Sequence, residues 1–325
     1  MREFGFELRL CAHLERDYPV VSRQLGTSVR AAGGRIVDVV CLTRGPDFDA
    51  RTELTPATIP PEILAADVGV GRWRRVTDAF DGPPARARSL AERGRDAGFL
   101  ELARRDGHEV VRQTVRYPDD WVGDIVGIEN KPDLDTPGNL ADQLRHDVSL
   151  GVLDYAILAT ESYVTRAHLN RLPDEVGVWR VDVDDTDPIE VVREPTRLDR
   201  DDWGLEPGET HPGSREVHPV SPDAKAIQRR RVAERAYGKG WRTYELPGCA
   251  NIDPDWGAEA GIETLPFCAY KDRLVAAASE CGPDCPGYEE TEASDVDFDA
   301  ERAARQAWTP ESGSVRHQSG LDRWT

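Results

Sequence analysis

Lysine is almost missing from this chain. Of 41 basic residues only Lys131, Lys225, Lys239 and Lys271 are lysines, so arginine supplies nearly all positive charge and each lysine marks a position worth reading. Methionine occurs once and aromatics make up 7%, which leaves aliphatic side chains to build any core. No apolar run approaches the ~20 residues that span a bilayer, which argues against a helical membrane protein. The opening stretch Met1 to Cys11 is charged and reads as an amphipathic helix rather than a secretory leader. A soluble, cytoplasmic protein with no membrane partner is the expectation. What is abundant is acid: 60 Asp and Glu give a formal net charge of −19, spread along the whole chain. That composition looks like a protein from an extreme halophile, whose acidic surface stays hydrated in concentrated salt. At molar salt the Debye length falls to roughly 3 Å, so net acidity does not exclude a nucleic-acid partner.

The order of patterned segments argues an α/β fold. Helical spacing runs from about Glu3 to Arg16, with Phe4, Leu8 and Cys11 on one stripe. Val20 to Val29 and Arg35 to Leu42 read as strands around a Gly33-Gly34 turn. A Pro-rich stretch from Thr55 to Pro61 leads into helices expected over Glu62 to Phe80 and Pro84 to Ala97. A hairpin turning at Asp106-Gly107 follows. Beyond it come a buried strand at Ile125, a helix capped by Asn139 and reaching about Leu150, and a strand at Tyr155 to Thr160. A helix from Ser162 to Arg171 and a strand from Val176 to Val181 complete the pattern. Residues 183–220 are polar and Pro-rich and read as a linker. A basic helix occupies Ser221 to Tyr237, and residues 288–325 read as an acidic, disordered tail.

Chemistry concentrates at Ile128-Glu129-Asn130-Lys131. Glu129 and Lys131, two apart at the end of a buried strand, point to one side of the backbone. A carboxylate and a compact ammonium so placed suit a hard divalent cation beside an activated water. A strand-end ion pair is the plainer alternative. Asp38 is a lone acid within the apolar strand Ile36-Val37-Asp38-Val39-Val40, where a buried carboxylate demands a partner.

This succession resembles the PD-(D/E)XK phosphodiesterase superfamily, with its αβββαβ restriction-endonuclease-like core, over residues 1–42 plus 120–182. The resemblance implies that Asp38 and Glu129 are the carboxylates that hold Mg²⁺ or Mn²⁺, with Asn130 lending its carbonyl. It implies that Lys131 orients or activates the attacking water. Glu7 becomes the helix acid near the metal, and Gln143 the polar residue of the following helix. Val37, not proline, precedes Asp38, and Asp119 (in Pro118-Asp119) and Asp124 are alternative acids. The chain as a whole resembles haloarchaeal proteins.

The long gap between Asp38 and Glu129 is filled by an insert, residues 43–119. From Arg72 to Arg116 it carries eleven arginines against seven acids, a net of +4 within a chain of −19. Helices followed by a hairpin look like a winged helix, with Arg72, Arg74, Arg75, Arg104, Arg105 and Arg112 as candidate nucleic-acid contacts. A basic lid or a protein-binding insert fits the same charge. Residues 221–287 hold Cys249, Cys268, Cys281 and Cys285, whose four soft ligands suggest a small module with Zn²⁺ or an iron–sulfur cluster. Some nucleases of the superfamily carry such a cluster, though with one cysteine ahead of the core. The functional expectation is a divalent-metal-dependent nuclease acting on DNA. An inactive DNA-binding or regulatory protein that retains the fold is the alternative, and a small-molecule or RNA phosphodiesterase a third.

Overall fold

The structure, a computed structural model, describes residues 3–30, 34–52, 63, 66–69, 72–114, 119–136, 138–185, 187–257 and 264–307. Helix α1 (Glu3–Leu14) is followed by β1 (Val20–Gly26), β2 (Ile36–Arg44) and the short α2 (Phe48–Thr52). An inserted unit contains β3 (Arg74–Arg75), α3 (Val76–Ala79), α4 (Pro84–Asp96), β4 (Leu100–Arg105) and β5 (His108–Gln113). The chain then returns through β6 (Val122–Asn130), α5 (Leu140–Leu150), β7 (Tyr155–Thr160), α6 (Arg166–Leu169), β8 (Gly177–Val181) and β9 (Ile189–Arg193).

These strands build one six-stranded mixed sheet in the order β1-β2-β6-β7-β8-β9. β1, β2 and β6 pair antiparallel, and β6, β7 and β8 pair parallel. The parallel step from β6 to β7 needs a crossover, which α5 supplies. Apolar side chains bury both sheet faces, which is why β6 reads as a nearly continuous apolar run. One face packs on α1, whose residues Gly5 to Leu14 are all buried, and on Trp241, Tyr244, Leu265 and Leu274. The other packs on α5 through Leu140, Leu144 and Leu150, and on α7 (Pro222–Lys239) through Val232, Ala233, Ala236 and Tyr237. The insert's Val76, Ala87, Leu90, Leu100 and Val111 join that same apolar cluster. α5 stops at Gly151, whose left-handed φ of 63° puts a would-be Cβ 2.6 Å from the Asp199 carbonyl oxygen.

Several expectations need correction. Residues 183–220 are no linker: β9 closes the main sheet, and β10 (Gly204–His211) and β11 (Ser214–Val220) form a hairpin that contacts α5. Their polarity reflects half-exposed edge positions rather than lack of structure. Within the proposed tail, α9 (Phe298–Arg305) folds back, with Phe298 against Tyr244 at 5.3 Å and Arg302 buried against α7 carbonyls. Residues 308–325 lie outside the described residues. The expected 162–171 helix shortens to α6, begun by a Thr165–His168 capping box. Asn139 makes no side-chain cap. Of the helix expected over 62–80, the described part holds β3 and α3, while Thr55 to Pro61 lies outside the described residues. Among the described residues no helix is long and apolar enough to cross a membrane.

Candidate functional site

The β2–β6 register, Val39 opposite Ile128, sets Asp38 and Glu129 across from one another as the next rung of the ladder. The Asn130 N–H donates to Asp38 Oδ2 at 3.0 Å, across 92 residues of sequence. β1 adds Gln24, which breaks the ladder: Arg23 pairs with Val39 and Leu25 with Val37, while Gln24 takes a left-handed φ of 54°. A non-glycine residue in that region is strained and uncommon, and such strain collects at functional sites. Its conformation lets one amide bridge two acids, donating to Asp38 Oδ1 at 3.2 Å and to Glu7 Oε2 at 3.1 Å.

Glu7 reaches the cluster from α1. Its Oε1 accepts from Arg23 Nε at 2.6 Å and its Oε2 also accepts from Asn130 Nδ2 at 3.0 Å. That bond fixes the Asn130 amide and leaves Asn130 Oδ1 buried with no hydrogen-bond donor. An orphan acceptor of this kind is costly unless something outside the protein satisfies it.

On the other side, Glu129 is held by a residue that sequence reading passed over. Arg35, 3% exposed, donates to Glu129 Oε1 at 3.2 Å and Oε2 at 2.8 Å. The same guanidinium donates to Asp147 Oδ1 at 2.9 Å and Oδ2 at 2.5 Å. Gln143 is half-buried on α5, its backbone N–H donating to Asn139 O at 3.0 Å. Asp147, one turn further, is the α5 side chain that enters the cluster. The signal was present, because Leu140, Leu144 and Asp147 share one helical stripe and an acid on an apolar stripe needs a cation.

Burial holds all four carboxyls above their ordinary range. For Glu129 it pushes the pKa up to about 8, opposed by the Arg35 bonds and reinforced by the charges of Asp38 and Asp147. For Glu7 burial outweighs the pull of Arg23, and for Asp38 it outweighs the Asn130 and Gln24 donors. Asp147 is raised for the same reason, against Arg35.

Lys131 lies just past the end of β6, its side chain 26% exposed and its Nζ 3.4 Å from Glu3 Oε1. It leans toward α1 while Glu129 turns toward α5, so the two end on different partners. The rival acids fall away or lie elsewhere. Asp124 pairs with Arg197 at 2.7 Å, five residues back along β6 and therefore on its opposite face. The side chain of Asp119 lies outside the described residues. Among the described residues no group of three or more His, Cys, Asp and Glu stands in metal-holding geometry.

The candidate nucleic-acid arginines divide into three groups. Arg74 pairs with Asp67, which also takes Arg231 and, at 3.8 Å, Arg235 of α7. This crowding, together with burial, brings the Arg231 pKa down to about 9, burial first and then Arg72, Arg74 and Arg235. Arg72 caps the carbonyls of Val29 and Arg30, just after β1. Arg105 and Arg112 stand over the Trp73 ring at 4.4 and 4.6 Å. Arg75 and Arg104 are exposed and line a cleft of about 430 Å³ with Arg88 and His108. In the Gln228–Arg231 run, Gln228 donates to Gly26 O and Arg229 pairs with buried Asp154 at 2.6 Å, so much of that run is structural.

The chain belongs to a family of unknown function, DUF5787, whose model matches residues 20–290. No curated protein and no solved structure matches it.

Proposed function

We propose that the cluster at the ends of β2 and β6 is the active site of a divalent-metal-dependent phosphodiesterase with a PD-(D/E)XK, restriction-endonuclease-like core, acting on DNA. The observation that carries this reading is the meeting of Asp38 and Glu129 across two strands, with the Asn130 N–H donating to Asp38 and the Asn130 Oδ1 left without a donor on the Glu7 side. Carboxylate and amide oxygens are hard donors, the kind that Mg²⁺ and Mn²⁺ take while keeping several waters. The donor chemistry suits such an ion, and Asp38, Glu129 and Asn130 are the residues that would hold it, after a rearrangement, since no metal-holding group is preformed among the described residues. When bound, such an ion polarises a phosphoryl oxygen and lowers the pKa of a coordinated water.

The chain's own residues do the rest. Gln24, Arg23 and Asn130 hold Glu7 and Asp38 in fixed orientation. Arg35 and Asp147 do the same for Glu129, and Arg35 favours its ionised form against burial. Lys131, paired with Glu3 and partly exposed, offers a point charge for the phosphate as charge builds on it. The winged-helix-like insert supplies exposed Arg75 and Arg104 for sequence-independent backbone contacts.

One observation favours a second reading. Both Glu129 oxygens already accept bonds from Arg35, so Glu129 is satisfied as part of a buried ion network. An inert DNA-binding protein that retains the fold would look like this. The deciding experiment is cleavage of duplex and single-stranded DNA in molar KCl with Mg²⁺, Mn²⁺ or EDTA, run on the parent, Asp38→Asn and Glu129→Gln. Metal-dependent products lost in both variants support the phosphodiesterase. DNA binding without cleavage in the parent under either metal selects the second reading.

A further inference from the structure

The C-terminal cysteines stand apart from the carboxylate cluster and carry a separate inference. Cys249 precedes β12 (Ile252–Asp253), and the Ile252 N–H donates to the Cys249 carbonyl at 3.0 Å. β13 (Phe267–Cys268) lies beside it, with Ile252 opposite Cys268, and β14 (Arg273–Leu274) pairs Arg273 with Cys268. The short helix α8 (Ala277–Glu280) delivers Cys281, whose N–H donates to Ala277 O at 3.1 Å. Cys281-Gly282-Pro283-Asp284-Cys285 then turns tightly, with Cys285 N–H donating to Gly282 O at 2.9 Å. The chain leaves this knuckle along Cys249: the Cys249 thiol sits 3.9 Å from Gly287 O, and Cys249 bridges to Glu290. Three short segments within residues 249–285 thus bring four cysteines into one small module.

We infer that Cys249, Cys268, Cys281 and Cys285 form a structural Zn²⁺ site. None of the four is in a disulfide. Cys281 packs against the cluster that holds Cys249 and Cys268, and Cys285 follows it by one tight turn. Among the described residues, that apolar cluster has Leu246, Ile252 and Val275 as its other buried members. A core so thin does not hold a small module by itself, and metals or disulfides take that role where apolar burial is insufficient. Four thiolates around Zn²⁺ carry a net charge of about −2, and neighbouring cations offset it. Lys271, one of four lysines in the chain, and Arg273 stand here, both bound to Glu280 next to Cys281. Four sulfur ligands select zinc over hard cations, and no oxygen donor is needed. As they stand, the four side chains are not in metal-holding geometry, so binding requires the thiols to turn inward, each giving up its proton.

The test uses the full chain, expressed with both zinc and iron available and purified without chelator. Elemental analysis is expected to give about one zinc per chain and no stoichiometric iron. Replacing zinc by Co²⁺ should produce thiolate-to-cobalt charge-transfer absorbance and the visible bands of a tetrahedral site. Cys281→Ser combined with Cys285→Ser should lose both the zinc and the cobalt spectrum. Should that variant fail to fold, the cobalt spectrum of the parent decides alone. A parent chain that carries no zinc and gives no cobalt thiolate band overturns the inference. So does iron with brown absorbance, or a mass 2 Da low from a disulfide. None of these readouts depends on phosphodiesterase activity.

Discussion

Replacing Arg35 by methionine tests how the carboxylate cluster is held. Methionine keeps most of the apolar stem and removes the guanidinium, so packing is disturbed little. Glu129 and Asp147, each 4% exposed, then lose the cation that both of them share. Breaking a buried ion pair by removing one partner costs about 3–5 kcal/mol, which lowers Tm by roughly 6–20 °C in a domain of this size. The loss should depend on pH. Both carboxyls are already raised above their ordinary values, and without Arg35 they rise further. The folded state then binds protons that the unfolded state has released, so the variant loses stability as pH rises above the ordinary carboxyl range. Thermal melts by circular dichroism at pH 5, 7 and 9 in constant KCl read this directly, with the gap to the parent widening upward. Adding Mg²⁺ should narrow the gap, since a bound divalent ion replaces the missing charge and stabilises by about 2.7 kcal/mol at 100 times Kd. A variant that melts within about 2 °C of the parent at pH 9 would falsify the account of Arg35 as the cluster's counter-ion.

Glu129→Gln should abolish metal-dependent cleavage and flatten the pH dependence of stability. Glu129 holds its proton up to about 8 in the folded state against an ordinary value of 4.5, so its ionisation destabilises the fold progressively across that window. Metal-free melts of the parent should therefore fall relative to the variant between those pH values, and parallel curves would refute the raised pKa. Lys131→Arg should cut turnover on the order of 10²-fold with Tm unchanged, because a planar fork cannot take the place of a point charge. Wild-type turnover in that variant would reduce Lys131 to a surface partner of Glu3. Arg75→Ala with Arg104→Ala should weaken DNA binding evenly across sequences and lower the slope of log K against log salt by about 0.9 per lost contact. Fluorescence anisotropy over a KCl series measures it, and an unchanged slope removes the insert from the DNA surface.

The sequence by itself determined the α/β pattern. Strands β2, β6, β7 and β8, helix α1, helix α4 and the Asp106-Gly107 hairpin all follow from local periodicity and turn chemistry, which neighbouring residues set. It also singled out Asp38, Glu129 and Lys131, because an acid in an apolar strand and a lysine in an arginine-rich chain stand out locally. It misread residues 183–220, whose polar strands become ordered by pairing with β8 and by hairpin closure rather than by their own apolar content. Only the tertiary structure decided who neutralises whom. Arg35 was legible merely as the start of a strand, yet antiparallel pairing and the α5 crossover carry it to Glu129 and Asp147. Gln24 gave no signal, since its left-handed backbone and double bridge exist only once Glu7 and Asp38 are brought to either side of it. Periodicity and propensity act over a few residues, whereas the field that sets a buried carboxyl's charge comes from groups that folding draws from far along the chain.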